Sequence, residues 1–295
     1  MKAIEIFEKA RNGKYAIGQF NVSTDEQIKA VVETARNLKS PIIIGTSEGE
    51  REFIGVNQVV ALVKSWQKQT LPTGRQASLP IILNADHCKD FESAKEVIDA
   101  GYSAVHIDGS KLSFEENIEL TKKVVAYARS KNPDVIVEGE LGYLRGGSEI
   151  RKEEIEIKEE DLTKPKQAKE FFEKTKVDLL AIIIGNIHGV SVNLKDPSLN
   201  LKRLKEIQEA VPSALLVLHG GSGAPEQDIK EAIKLGVVKI NINTELRIAY
   251  SEALSQEIKQ HPDEVKPYKI LAPTIEAMRK VIQEKIRLFG SEEKA

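Results

Sequence analysis

Eight times along this chain a strand-length apolar run ends in polar or charged residues and gives way to a segment of helical periodicity. The runs are AIGQFN (16-21), PIIIGTSEG (41-49), PIILNADH (80-87), SAVHIDGS (103-110), DVIVEGELG (134-142), DLLAIIIGN (178-186), LLVLHGGSG (215-223) and VVKININ (237-243). Short apolar runs bounded by turn signals read as strands buried on both faces, the habit of parallel sheets. Segments 25-38, 52-68, 91-99, 114-130, 166-175, 200-210 and 226-235 read as the helices between them. The expected fold class is therefore α/β, a closed (β/α)8 TIM barrel. An open doubly wound sheet competes, but it uses fewer parallel strands, and no G-x-G-x-x-G follows the first run.

One domain over 1-295 is expected, opening with a short amphipathic helix at 2-12. Three departures from a plain barrel are anticipated. Residues 69-79, QTLPTGRQASL, read as an inserted exposed loop, because Pro72 and Gly74 break any regular element. Residues 143-164 carry too many alternating charges for a core and read as a mobile active-site loop with a short hairpin. Residues 244-295 read as a helical extension, with long helices at 244-258 and 273-288.

An apolar share of 41% is ample for one large core, and 43 basic against 45 acidic side chains leave little net charge. That balance gives no reason to expect nucleic acid or an anionic membrane as partner. Cys88 is the only cysteine, so an intramolecular disulfide is excluded and a cytoplasmic, reducing location is expected. The first residues interleave charge with apolar residues, unlike a signal peptide, and no run approaches a membrane span.

Both competing folds place chemistry beyond the C-terminal ends of the strands. Asn21, Ser47, Asp86, His87, Asp108, Glu140, His188, His219 and Asn241 all fall there. His87, His188 and His219 directly follow predicted strands three, six and seven; three neutral imidazoles with an open position suit a catalytic zinc. The bland alternative is three unrelated rim histidines. Asp86 reads as a partner to the metal site or a free acid/base, or else a helix cap. Glu138 and Glu140 share strand parity, and a buried pair of carboxylates needs a cation or a shared proton. Asp108 and Glu140 are candidate ligands for a second cation, or structural anchors. His106, in mid-strand, reads as a satisfied core histidine, His261 as a surface turn, and Cys88 as structural. The glycines at 220-223 and the NINT at 241-244 form a candidate phosphate site, since barrels often bind phosphate between the last two loops.

These motifs together resemble the class II, metal-dependent fructose-bisphosphate aldolase family, which includes tagatose-bisphosphate aldolases. The resemblance spans nearly the whole chain: FNVST near residue 20, NADH at 84-87, HIDGS at 106-110, NIELTKKVV at 117-125, VEGELG at 137-142, IHG at 187-189, VLHGGSG at 217-223 and KININTE at 239-245. It implies an aldehyde-lyase that reversibly cleaves fructose 1,6-bisphosphate to dihydroxyacetone phosphate and glyceraldehyde 3-phosphate, within glycolysis and gluconeogenesis. The alternative is tagatose 1,6-bisphosphate or another phosphorylated ketose.

By the same resemblance His87, His188 and His219 hold zinc, and Asp86 exchanges a proton with the C4 hydroxyl. Glu149 moves the triose-phosphate proton, and Asp108 and Glu140 serve a second divalent position. Asn21, Ser47, Gly189, Gly220, Gly221, Ser222 and the run Asn241, Ile242, Asn243, Thr244 hold the ketose and its C1 phosphate. A monovalent cation (Na+ or K+) near the phosphate and a homodimer or homotetramer are implied as well.

The sequence departs from the family pattern at Asn84, Cys88 and His106, where histidine, glycine and methionine are usual. Val190-Ser191 replace a Tyr-Lys pair, and Tyr268 stands in place of an arginine of distal-phosphate recognition. Two other classes of function are compatible with the constellation. A zinc hydrolase would activate water with the same histidines and release no triose. A sugar-phosphate binding protein would bind without cleavage, although Asp86, the three histidines and Glu149 are all retained.

Overall fold

The computed structural model describes residues 2–68, 79–191 and 197–295. The inserted loop at 69-79 therefore lies, apart from Leu79, outside the described residues. In chain order the strands are β1 Ile17–Asn21, β2 Ile42–Thr46, β3 Ile81–Cys88, β4 Ala104–Ile107, β5 Ile136–Leu141, β6 Ile150–Arg151, β7 Leu179–Ile182, β8 Val190–Ser191, β9 Leu215–Leu218 and β10 Val237–Ile242. All except β6 and β8 form one closed barrel of parallel strands, sealed where β1 pairs with β10. This is the (β/α)8 TIM barrel expected from the alternating runs.

Hydrophobic burial sets the two layers. Inside the barrel's lower half, Ile17, Ile43, Ile82, Leu179, Leu215 and Val238 pack on one another. Ile6 and Phe7, from the helix Ala3–Gly13, close that end as an apolar plug. Between strands and helices lies a second apolar shell containing Ile28, Val31, Val59, Val97, Phe171 and Ile229. Burying a side chain of this size contributes roughly 1.5–3 kcal/mol. The last helix, Ala272–Phe289, packs against β1 and the helix Asp25–Asn37, while Phe289 accepts a hydrogen bond from the Ala16 N–H.

The charged segment 143-164 differs from expectation in one respect. It forms no hairpin; instead β6 pairs in parallel with β8, Ile150 opposite Val190 and Arg151 opposite Ser191. Gly189 makes this possible. Its φ is +87°, and a Cβ there would lie 2.6 Å from the Glu149 carbonyl oxygen. Among the described residues no helix is long and apolar enough to cross a membrane.

Candidate active site

The polar residues of the barrel interior gather at the strands' C-terminal end, and β3 sets their geometry. Its register with β4 slips between Ala85 and Cys88, and His87 takes φ +52°. In a regular strand, neighbouring side chains point to opposite faces. The slip releases Asp86 and His87 from that alternation, so both reach the mouth. Asp86 accepts hydrogen bonds from Asn21 Nδ2 (2.9 Å) and Asn241 Nδ2 (3.2 Å). His87 Nδ1 lies 3.0 Å from Asp108 Oδ2. A left-handed non-glycine residue costs roughly 1–2 kcal/mol, strain that tends to persist where function requires it. Cys88 returns to the wall, buried and 3.6 Å from Arg51 Nη2, in keeping with a structural role.

Four of the five histidines converge here. Ring centroids are 4.5 Å apart for His87 and His106, 4.8 Å for His87 and His219, 4.6 Å for His106 and His219, and 5.3 Å for His87 and His188. His106 departs from the expectation of a satisfied core residue. It is fully buried, but its Nε2, 3.1 Å from Glu140 Oε2, is off the hydrogen-bond direction and has no partner. Its Nδ1 lies 3.2 Å from the His87 backbone nitrogen. His219 is held by Glu138 Oε1 at Nε2 (2.7 Å) and by Asn241 Nδ2 at Nδ1 (3.1 Å). Glu138 in turn pairs with the buried ammonium of Lys239, so of the two expected alternatives, a cation or a shared proton, the structure supplies a cation.

Charge and burial oppose each other throughout. Burial works to raise the Asp86 carboxyl, but the imidazoles of His87, His219 and His106 hold it well below the usual range. Burial also works against protonated His106, yet Glu138, Asp86 and Glu140 push its pKa up to about 10. For His188, burial and the neighbouring His87 and His219 act together and bring the pKa down to about 3. Burial likewise lowers His219. Asp86 is thus an ionised base, and His188 a neutral imidazole over the whole physiological range.

The donor set fits a divalent cation. His87 Nε2, His106 Nε2 and both Glu140 oxygens are buried without hydrogen-bond partners, a rare condition for native polar atoms. Asp86, His87, His106 and His219 form one group whose ligand atoms lie within 4.8 Å of one another; His87, Asp108 and Glu140 form another. Such separations suit a shared ion bound at about 2.0–2.2 Å. His188 belongs to neither group and stands farther out, on the cleft wall.

That cleft is lined by Asn21, Asp86, Ser148, His188, Gly189, Gly220, Ser222, Asn241, Asn243 and Thr244. Gly220 has φ +62°, and a Cβ there would collide with the Ile187 carbonyl oxygen. Three of the anticipated substrate-binding residues do not line it. Ser47 caps the helix Glu48–Ile54, the Ile242 side chain is in the core, and Gly221 packs against Ile240. Glu149 is exposed on the loop immediately after Ser148. Sequence reasoning missed His106 and Ser148, and gave no hint of Glu50, whose Oε2 accepts from Asn21 at 3.0 Å. The inward parity of His106 with Asp108 was the available signal. A larger cleft bordered by Lys2, Gln67, Tyr102 and Asp134 opens at the opposite end of the barrel and contains none of these residues.

A barrel whose mouth gathers imidazoles, ionised carboxylates and a cleft edged by glycine loops has the parts of a metal-assisted enzyme. The family model for class II fructose-bisphosphate aldolase matches residues 1–294, and the chain belongs to that family. It is 37% identical over 292 residues to fructose-bisphosphate aldolase of Staphylococcus epidermidis, covering 99% of this chain and 97% of that one. It is equally 37% identical to sulfofructosephosphate aldolase of Alkalicoccus urumqiensis, covering 98% and 96%. The crystal structure of the YdjI aldolase from Escherichia coli K12 superposes with a TM-score of 0.80 at 33% identity, covering 100% and 99% of the two chains. The family consists of metal-dependent aldolases acting on phosphorylated sugars.

Proposed function

We propose that this protein is a zinc-dependent aldolase that reversibly cleaves fructose 1,6-bisphosphate to dihydroxyacetone phosphate and glyceraldehyde 3-phosphate. The observation that carries the reading is Asp86: an ionised carboxylate fixed by two asparagines on the cleft wall, beside the imidazole cluster. Cleaving the C3–C4 bond requires a base for the C4 hydroxyl and a sink for the electrons left on C3. His87, His188 and His219 would hold a zinc ion, which when bound would supply that sink as a Lewis acid toward the C2 carbonyl.

The chain's own groups do the rest. Asp86 takes the C4 hydroxyl proton as the aldehyde departs. Glu149 then delivers a proton to C3 of the remaining triose, from a loop that excludes water. Gly189, Gly220 and Ser222, with Asn241, Asn243 and Thr244, hold the C1 phosphate, using backbone N–H groups at the start of the helix Thr244–Gln260. Asp108 and Glu140 serve a second divalent ion, and a monovalent cation sits by the phosphate. The protein works as a cytoplasmic homodimer or homotetramer in glycolysis and gluconeogenesis.

A second reading, another phosphorylated ketose such as tagatose 1,6-bisphosphate or a sulfonated ketose phosphate, has specific support. Val190, Ser191 and Tyr268 bring no positive charge to positions where a distal phosphate would need one, and the sulfofructosephosphate aldolase is as similar as the fructose-bisphosphate aldolase. A triose-release assay with metal-free and zinc-loaded protein over fructose 1,6-bisphosphate, tagatose 1,6-bisphosphate and sulfofructose 1-phosphate separates the two. Zinc-dependent release, fastest from fructose 1,6-bisphosphate, is expected. Preference for another ketose selects the second reading, and no triose from any of them refutes both.

A further inference from the structure

The loop from Tyr143 to Arg151 is fastened to the barrel along two edges. On one edge it pairs with β8, and the His188 N–H donates to the Arg145 carbonyl (2.9 Å). Elsewhere the Arg145 guanidinium grips Asp161, and on the other edge a side chain of the helix that follows β10 makes a further connection. Arg247, from the first turn of the helix Thr244–Gln260, donates from Nη1 to the Ser148 carbonyl oxygen (2.9 Å) and from Nη2 to Glu50 Oε1 (2.7 Å). Glu50 is buried, and its other oxygen accepts from the Ser47 N–H (2.7 Å) and Asn21 Nδ2 (3.0 Å). The same Asn21 amide donates to Asp86 Oδ2 at 2.9 Å. An unbroken chain of charge-assisted hydrogen bonds therefore runs Ser148–Arg247–Glu50–Asn21–Asp86.

We infer that Arg247 is a positioning residue: it fixes the Ser148–Glu149 turn over the cleft in a set relation to Asp86. The inference rests on the roles given above to Asp86 and Glu149. Its chemistry is that of a planar guanidinium. Two N–H donors diverge from one rigid group, so a backbone carbonyl on the loop and a carboxylate on the barrel are held at a constant separation. Lysine carries the charge but lacks the fork. Both ends of this hydrogen-bonded chain border the cleft, since Ser148 and Asp86 line it. With the turn released, the proton donor and the proton acceptor of the cleavage lose their common frame, and misplacement by about 1 Å can cost about 100-fold in rate.

The test compares zinc-loaded wild type with Arg247→Gln and Arg247→Lys. Arg247 is 44% exposed, so both variants are expected to fold. Trypsin digestion under native conditions reads the loop directly, because Arg145, Arg151 and Lys152 lie within or beside it. Both variants should be cut there at least about 10-fold faster, with zinc content unchanged. In the ketose assay kcat should fall about 10- to 100-fold while KM stays within about twofold, and Arg247→Lys should not rescue it. Wild-type cleavage rates in the loop for both variants would overturn the inference, even if melting temperature falls. If wild type releases no triose but the variants expose the loop, the functional reading fails and the positioning of the loop stands.

Discussion

The carboxylate of Glu138 lies 2.7 Å from Nε2 of His219, deep inside the barrel. That contact places the ring's proton on Nε2, so in the proposed zinc site Nδ1, which accepts from Asn241 Nδ2 in this structure, would be the ligating atom, the arrangement by which carboxylates tune metal-bound histidines. Glu138→Gln should lower zinc affinity about 10- to 100-fold, measured by competition with a chromophoric chelator. Glu138→Ala should also strand the Lys239 ammonium in the core, at a cost of roughly 3–5 kcal/mol in urea unfolding.

Asp86 is held ionised by its neighbours, so its role in turnover can be separated from metal retention. Asp86→Asn preserves shape and the approach of Asn21 but removes the base. Zinc content should remain near wild type, while kcat falls about 100- to 10,000-fold. Turnover close to wild type would remove Asp86 from the mechanism.

The histidines give metal-free protein opposite pH responses. His106 is raised to about 10 in the fold, so its contribution to stability is complete below the unfolded value of 6.5 and is lost as pH rises through 10. His188 is lowered to about 3, so the unfolded chain binds that proton first, and stability falls as pH drops from 6.5 toward 3. Urea midpoints at several pH values should therefore show His106→Gln losing most, relative to wild type, at neutral and lower pH. His188→Gln should close the gap to wild type, or overtake it, as the solution is acidified.

Burial pushes the Cys88 thiol up to about 12, leaving almost no thiolate at neutral pH. Ellman's reagent should modify Cys88 only after denaturation. Rapid labelling of the native zinc-loaded protein would contradict its assignment to the wall.

Much of this molecule was legible in its sequence, because the period of apolar residues reports directly on which faces are buried. Each expected strand covers the observed barrel strand, except that β3 runs one residue further, to Cys88, and the polar residues Asn21, Asp86 and Asn241 do meet at one mouth. Other features were hidden for physical reasons. Two adjacent side chains, Asp86 and His87, reach the same mouth only through a register slip that leaves no compositional trace. His106 has the parity of an inward residue, but whether such a ring is satisfied depends on partners from β5 and β9. The alternating charges of 143-164 resembled a hairpin because the true partner of β6 is β8, some 40 residues later. No motif in the sequence marks Arg247, and its bridge to Ser148 and Glu50 exists only in three dimensions.

The proposed convergence of His87, His188 and His219 on one cation beside Asp86 is tested most directly by a crystal structure of zinc-loaded protein with anomalous data at the zinc edge. The account predicts one strong peak per chain within bonding distance of all three rings, with the Asp86 carboxylate facing the same cleft. A strong peak bound elsewhere, or a ring from any of the three turned into a separate cavity, would contradict it.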